Sequence, residues 1–522
     1  MVQIQGAGGN SMFLKRIHKV LRSRYFLGVL GIVLELAQLL VVFTLLYEYF
    51  LPITVLGVLF HIGVLLYVIN KDEIPEFKIP WLIILFLLPV IGAFLYMLFT
   101  STGQSRKEYQ KFEDAHRRLL PYLEQWGAES EEPEKMDADA KSQADYLYRA
   151  AGMPCGGGYV TYYPLGEDFH AALLESLEQA EKFILMEYFI IQQGKMWNPI
   201  HEILKRKAAQ GVKVYLMYDD FGCMVTLPEQ YYEEMEREGI HCIPANKFKP
   251  VLSRIHNNRD HRKITVIDGR VGFTGGVNLA DEYINATSKY GHWKDTAVKI
   301  EGEAVRNLTV LFLEFWNMQV KEPMEGGPFL YVDVPPWQGD GIVIPYGDGP
   351  EPLYNETIGK NVYLNMIHAA RKYLYLTTPY LICDHELMGA LKLAAKRGVD
   401  VRLITPHIPD KKLIFLMTKS GYEELIKGGV KIYEYTPGFV HAKNMICDDK
   451  FAICGTINLD YRSLVHHFEC AAWMYHMDCI ADMKKDFTEM LSVSEEITEK
   501  EAKLKPWLGP LAEVMKIFAS LL

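Results

Sequence analysis

Cysteine is sparse in this 522-residue chain and unpatterned. Its eight cysteines (Cys155, Cys223, Cys242, Cys383, Cys447, Cys454, Cys470 and Cys479) include no C-x-x-C pair. That spacing builds neither a disulfide framework nor a zinc knuckle, and it predicts reduced, buried thiols. Positive charge is also short. The 55 Lys and Arg against 65 Asp and Glu leave a net charge of −10, which argues against a protein held to nucleic acid by clustered cations. With 49% hydrophobic and 23% charged residues, disorder, collagen and coiled-coil rods are excluded for the bulk of the chain.

Long apolar runs, by contrast, are present at one end. Residues 1–25 hold Lys15, Arg16, Lys19, Arg22 and Arg24 and no acid, and apolar segments follow at about 26–46, 53–69 and 81–99. Each approaches the roughly 20 residues that a bilayer-spanning helix needs. No small-residue cleavage site follows the first, so residues 1–105 read as a retained membrane region rather than a signal peptide. A second basic cluster, Arg106, Lys107, Lys111, Arg117 and Arg118, follows the third segment. The positive-inside rule wants both flanks in the cytoplasm. Three full crossings would separate them, so one segment is expected to be re-entrant or interfacial; Pro89 and Gly92 interrupt the third.

Residues 106–146 read as a basic, then acidic, linker. From 147 to 490 the pattern changes to short β-rich runs alternating with amphipathic helices, an α/β signature. Phe183–Ile191 reads as a strand, Pro199–Gln210 as a helix and Val212–Tyr218 as the next strand. An internal repeat is visible: LKRKAAQGVKVYLMYDD at 204–220 parallels LKLAAKRGVDVRLITPH at 391–407. The expected architecture is two similar α/β lobes, 147–321 and 342–490, joined by the Pro/Gly-rich interval 322–341. The tail 491–522 ends in an apolar stretch expected to lie in a membrane interface or to pack on the lobes. Leu413, Phe415, Leu416, Met417 and Tyr422 are expected to pack a helix, the alternative being a lid.

Each lobe carries the same constellation. His261, Lys263, Asp268, Gly275 and Asn278 match His441, Lys443, Asp448, Gly455 and Asn458, at offsets 0, +2, +7, +14 and +17. One H-x-K is no signal, but two copies agreeing at five positions inside an independent repeat are a strong one. Residues i and i+2 of a strand share a face, so each His should project with its Lys. Asp268-Gly269 is a tight-turn pair, which suits Asp268 to a structural or ion-pairing place at the turn. The chain then returns so that Asn278 can approach Lys263. Two imidazoles, two lysines and two amides across a two-lobe interface suit phosphoryl transfer. One neutral imidazole attacks phosphorus, the other protonates the leaving alkoxide, and the lysines supply the positive charge. No metal or other cofactor is expected.

These paired H-x-K-x4-D motifs with their G-x-x-N tails resemble the phospholipase D superfamily over about residues 150–490. More narrowly the chain resembles bacterial cardiolipin synthases of the phospholipase D type. This rests on WLIILFLLPVIGAFLYMLF (81–99), MEYFII (186–191), TPYLICD (378–384) and GFVHAKNMICDDKFAICGTINLDYRSLVHHFE (438–469). The resemblance implies a catalytic set of His261, Lys263, Asp268, His441, Lys443 and Asp448, with Asn278 and Asn458 binding the phosphoryl group. It also implies an acid on a later strand orienting each His, with Asp295 at that place in lobe one and Glu469 in lobe two. Thr456 and His467 depart from the usual residues. The implied reaction joins two phosphatidylglycerols into cardiolipin and glycerol through a phosphohistidine. The implied setting is a bacterial plasma membrane, multi-pass, with the lobes in the cytoplasm, membrane lipids as partners and no nucleic acid. Phosphatidyl transfer to another acceptor, simple lipid hydrolysis and, more remotely, a nuclease of the same fold are the alternatives.

Overall fold

The computed structural model describes residues 51–99, 102–129, 136–247, 258–334 and 341–519, with isolated positions outside these ranges. The basic flank 1–25 and most of the apolar segment 26–46 lie outside the described residues. Two compact units are distinguished, one N-terminal and one containing both repeats.

In the N-terminal unit the second apolar segment forms helix Leu51–Asn70. The third, in which Pro89 and Gly92 were expected to interrupt the run, is two helices, Pro75–Leu87 and Ile91–Phe99. The break has a backbone cause. Pro89 has no N–H to donate, and Val90 adopts a left-handed φ of 61°. Gly92 lets the second helix fold back on the first, since a Cβ there would sit 2.9 Å from the Ile84 carbonyl oxygen. Trp81 and Tyr96 pack edge to face with centroids 5.3 Å apart, around buried Val64, Val68, Leu85 and Ala93. Among the described residues no helix is long and apolar enough to cross a membrane.

The second unit holds two large sheets and, among the described residues, two two-stranded ones. Lobe one contributes β1 (Tyr159–Tyr163), β2 (Phe183–Tyr188), β3 (Lys213–Asp219), β4 (Ile240–Ala245), β5 (Lys263–Ile267), β6 (Val271–Gly275), β7 (His292–Lys294) and β8 (Ala297–Glu301). Lobe two contributes β9 (Ile342–Asp348), β10 (Tyr373–Thr377), β11 (Leu381–Ile382), β12 (Asp400–Pro406), β13 (Lys431–Tyr435), β14 (Gly438–Val440), β15 (Asn444–Cys447), β16 (Phe451–Gly455), β17 (Leu459–Asp460), β18 (Glu469–Tyr475) and β19 (Ser494–Glu496). The strand orders of the large sheets are β1-β8-β6-β5-β2-β3-β4 and β9-β18-β16-β15-β10-β12-β13-β19, and the two-stranded sheets are β11-β17 and β7-β14. Position by position the two large ones are the same sheet, with β19 added at one edge. The sequence repeat is therefore a repeat of topology, and lobe two runs past residue 490 to include β19.

The repeated segments fold alike for a local reason. Helices Trp197–Ala209 and His385–Lys396 each run into a glycine, Gly211 and Gly398, at φ 92° and 94°. That left-handed turn, open to glycine without strain, feeds β3 and β12, each lying parallel to its neighbour, β2 or β10. Residues 106–146, expected as a linker, are instead packed structure. Helices Thr102–Glu129 and Ala138–Ala151 place Phe112, Leu119, Leu123, Trp126, Ala140, Ala144 and Leu147 in the main core. Of the acidic side chains that suggested a linker, Asp137 and Asp139 are exposed. All eight cysteines are free and six of them are buried.

Candidate active site

The two lobes meet through backbone pairing that sets the site. β14, just before His441, pairs in parallel with β7 of lobe one, Val440 opposite Lys294. The His441 N–H donates to the Lys294 carbonyl at 2.7 Å. Symmetrically, Asp260 bridges Phe468, and the His261 N–H donates to the Phe468 carbonyl at 2.9 Å. Each catalytic strand thus begins beside the other lobe's acid.

The consequence is a crossed arrangement. His261 Nδ1 lies 2.9 and 3.0 Å from the two Glu469 carboxylate oxygens, and His441 Nδ1 lies 2.6 Å from Asp295 Oδ2. The expected lobe-by-lobe assignment of acids is corrected: Glu469 of lobe two serves His261 of lobe one, and Asp295 serves His441. A carboxylate on Nδ1–H fixes the tautomer and leaves Nε2 with the lone pair. Both histidines, both acids, Lys263 and Lys443 are buried.

Further residues complete the shell. Ser463 donates to Glu469 Oε1 at 2.5 Å, and Thr456 donates to Oε2. Arg262 ties the lobes together, donating to the Glu469 and Leu311 carbonyls and to the Tyr354 hydroxyl. Trp293 and His467, each two residues before an acid, cover the opposite catalytic ring at centroid distances of 5.4 and 5.5 Å. Neither Ser463 nor Arg262 carried a sequence signal, because their roles exist only across the interface.

Lys263 donates to the His261 carbonyl at 2.6 Å, and Lys443 approaches His441 Nδ1 at 2.8 Å. Burial lowers the lysines to about 8 and about 7 respectively. Burial and Lys443 bring His441 down to about 4 against the pull of Asp295. His261 is pushed well below its ordinary value by burial, then by Lys263 and Lys443. Burial raises Asp295, but the charges of His441 and Lys443 outweigh it and hold its pKa low. A phosphoryl anion beside the lysines favours their charged forms. At pH 8, binding of inorganic phosphate is expected to draw in about one proton, read by calorimetry in buffers of different ionisation enthalpy. Binding without proton uptake would contradict this. Because the folded lysines bind protons more weakly than the unfolded chain, the substrate-free protein gains stability as pH rises from about 7 towards 10.

Asp268 and Asp448, placed by resemblance in the catalytic set, stand at the far ends of their strands. Asp268 accepts from the N–H groups of Glu181, Lys182 and Phe183 at 2.7–2.8 Å. Asp448 accepts from Arg371, Lys372 and Tyr373 at 2.7–2.9 Å. Each ties the start of the central strand to a turn, and neither touches a histidine. Asp268→Ala and Asp448→Ala should each cost about 2–3 kcal/mol of stability, lowering the denaturant midpoint while phosphohistidine formation per folded molecule persists. Loss of that chemistry in a fully folded variant would return them to the catalytic set. Asn278 accepts from the Ile190 N–H and donates to the Tyr283 hydroxyl, leaving one N–H for a substrate. Asn458 Oδ1 has no partner.

Among the described residues, His261, His467 and Glu469 are the trio close enough to share a cation. The Glu469 oxygens already accept from His261, Ser463 and Thr456, and two lysines stand beside them. This donor set suits an anion better than a metal ion.

Comparison with known proteins accords with this geometry. Residues 173–316 and 363–491 match the family described as "Cardiolipin synthase, PLD-like domain", and residues 59–99 match "Phospholipase_D-nuclease N-terminal". A cardiolipin synthase of Alkalihalophilus pseudofirmus is 33% identical over 88% of this chain and 90% of its own length. The chain belongs to the phospholipase D-like cardiolipin synthase family. It is accordingly a phosphatidyltransferase of the phospholipase D type. An uncharacterized protein of Streptococcus mutans is 42% identical over 88% of this chain and all of its own. A phosphatidylserine synthase of Haemophilus influenzae shares the fold at a TM-score of 0.55, with 14% identity, covering 73% of this chain and 98% of that one. Within this cardiolipin synthase family chain, the two lobes found from the sequence repeat are the two matched halves.

Proposed function

We propose that the protein makes cardiolipin at a bacterial plasma membrane, moving a phosphatidyl group from one phosphatidylglycerol to another. The observation that carries this is the single buried site in which each imidazole has its own carboxylate and lysine. The His261 Nε2 lone pair attacks phosphorus of the first lipid. The bond to glycerol breaks, and His441, whose imidazolium form the bound phosphodiester anion and Asp295 favour, gives its proton to the departing oxygen. The terminal hydroxyl of a second phosphatidylglycerol then attacks the phosphohistidine, His441 takes the hydroxyl proton, and the P–N bond breaks to restore His261. Lys263, Lys443 and Asn458 hold the phosphoryl oxygens, with the remaining Asn278 N–H available to them.

The roles follow from an asymmetry between the acids. Among the described residues Asp295 has His441 as its one side-chain hydrogen-bond partner, whereas Glu469 is shared among His261, Ser463 and Thr456. The less divided carboxylate stabilises imidazolium better, which supports His441 as the acid and His261 as the nucleophile.

Membrane attachment is supported by the N-terminal helices. Leu56, Leu59, Leu66, Ile69, Phe86 and Leu87 are all exposed on them, and large apolar side chains exposed in such number are suited to lipid contact. The basic flanks favour a multi-pass arrangement with the catalytic lobes in the cytoplasm. An impermeant thiol reagent on intact cells should then fail to label Cys155 or Cys383.

The deciding assay follows lipid products from purified protein in phosphatidylglycerol vesicles containing a chelator. Cardiolipin and glycerol in equal amounts are expected. Phosphatidic acid alone would make the protein a phospholipase, and a strict need for an added divalent ion would overturn the metal-free mechanism.

A further inference from the structure

The C-terminal helix Leu508–Ala519 has two unlike faces. Met515 and Ala519 pack with Ile382, Ile414, Met417 and Tyr461 of lobe two, and Ala512 is buried. Away from them Leu511, Val514 (52% exposed) and Ile517 form one stripe at spacings of three, and Trp507 (69%) is exposed in the turn that leads into the helix. The helix lies against helix Lys412–Ser420, whose first turn presents Leu413, 62% exposed.

This face adjoins the active site. Helix Lys412–Ser420 follows β12 and the loop holding Asp410; Tyr380, which bonds that Asp410, packs on Phe439, whose ring centroid lies 6.0 Å from that of His441. The Tyr380 hydroxyl donates to Asp410 at 2.7 Å. The corresponding loop of lobe one follows β3 and shows exposed Phe221 and Val225. Phe221 lies under Arg259, two residues before His261. Equivalent loops of the two lobes therefore bring apolar side chains to the surface beside the histidines.

Charge is arranged to match. Lys411, Lys412 and Lys505 are exposed on the segments flanking the stripe, while Lys503 and Lys516 pair with Glu499 and Glu513, on a chain whose net charge is −10. An acidic protein can approach an anionic bilayer only where it locally presents cations. A helix with one packed face, one Leu/Val/Ile face, a Trp in the turn before it and lysines at its edge is suited to lie at a lipid interface.

We propose that Trp507, Leu511, Val514 and Ile517, with Leu413 and the lysines around them, form a bilayer-docking face that seats the mouth of the active site on an anionic membrane. The inference rests on lipid being the substrate, but its test does not need cardiolipin to be the product. The occupant is the lipid surface; a second copy of the chain is the competing outcome.

The test uses full-length protein in vesicles of phosphatidylglycerol and phosphatidylcholine with brominated acyl chains. Wild type should lose a component of tryptophan fluorescence that Trp507→Phe lacks. Leu511→Glu combined with Val514→Glu should lower product formation from vesicles about tenfold. The rate on monomeric short-chain phosphatidylglycerol should be unchanged, which a misfolded variant would not show. Equal bromolipid quenching in wild type and Trp507→Phe would overturn the proposal. So would equal vesicle rates in wild type and the double variant, or cross-links between copies through Leu511→Cys with Trp507 shielded from lipid. If Trp507 is quenched but no cardiolipin forms, the docking face stands and the assignment of the reaction fails.

Discussion

Replacement of His261 or His441 by alanine should each lower cardiolipin formation by on the order of 10⁴-fold, and the double replacement should be scarcely worse. Residues that act as one unit lose most of their effect when either is removed. The two variants should nevertheless differ on an activated phosphodiester. Protonation of a good leaving group matters little, so His441→Ala should still release one equivalent in a burst and accumulate phosphohistidine. His261→Ala has no imidazole at the attacking position and should do neither. Peptide mapping that located the trapped phosphoryl group on His441 would exchange the roles. Near-normal turnover in either single variant would remove the two-histidine mechanism altogether.

Asp295→Asn should reproduce His441→Ala, although Asp295 lies in the other lobe. The amide oxygen accepts from Nδ1–H more weakly than a carboxylate, its NH2 can instead donate to Nδ1 and select the other tautomer, and it carries no charge to stabilise imidazolium. Loss on the order of 10³- to 10⁴-fold is expected, as for other carboxylates that orient a catalytic imidazole. The phosphohistidine on His261 should again accumulate from an activated substrate. Glu469→Gln should instead impair its formation, because Glu469 holds His261 at 2.9 Å. The reverse pattern, with Asp295→Asn abolishing formation of the intermediate and Glu469→Gln trapping it, would mean that the acids act within their own lobes or that the histidine roles are exchanged. Mapping the trapped group separates those two cases.

Much of this was legible in the chain. The repeat at 204–220 and 391–407 depends on glycine at a helix end and on β-rich runs after it. Both are local properties, and they appear in the fold as the same strand order twice. The pairs His261/Lys263 and His441/Lys443 were legible for the same reason, since the strand period puts i and i+2 on one face. The packed helices at 102–129 and 138–151 were harder to read. Their apolar positions, from Phe112 to Leu147, are diluted by many charged neighbours.

What the residues determined alone is the chemistry available: two imidazoles, two lysines, two acids and no patterned cysteine. Their local spacing also determined that two similar lobes would carry it. Which acid serves which histidine was decided only by tertiary structure. Hydrogen bonding between strands far apart in sequence, Val440 beside Lys294 and Asp260 beside Phe468, fixes that choice. For Asp268 the Asp-Gly pair already pointed to a turn, against the catalytic place that resemblance gave it and Asp448; which backbone N–H groups the two aspartates hold, at 181–183 and 371–373, only the fold shows. At the helix break by Pro89 and Val90, likewise, Gly92 permits a close approach that only the folded chain makes. Spacing along a chain reports which side chains share a face, whereas the pairing of distant strands depends on the packing of both lobes at once.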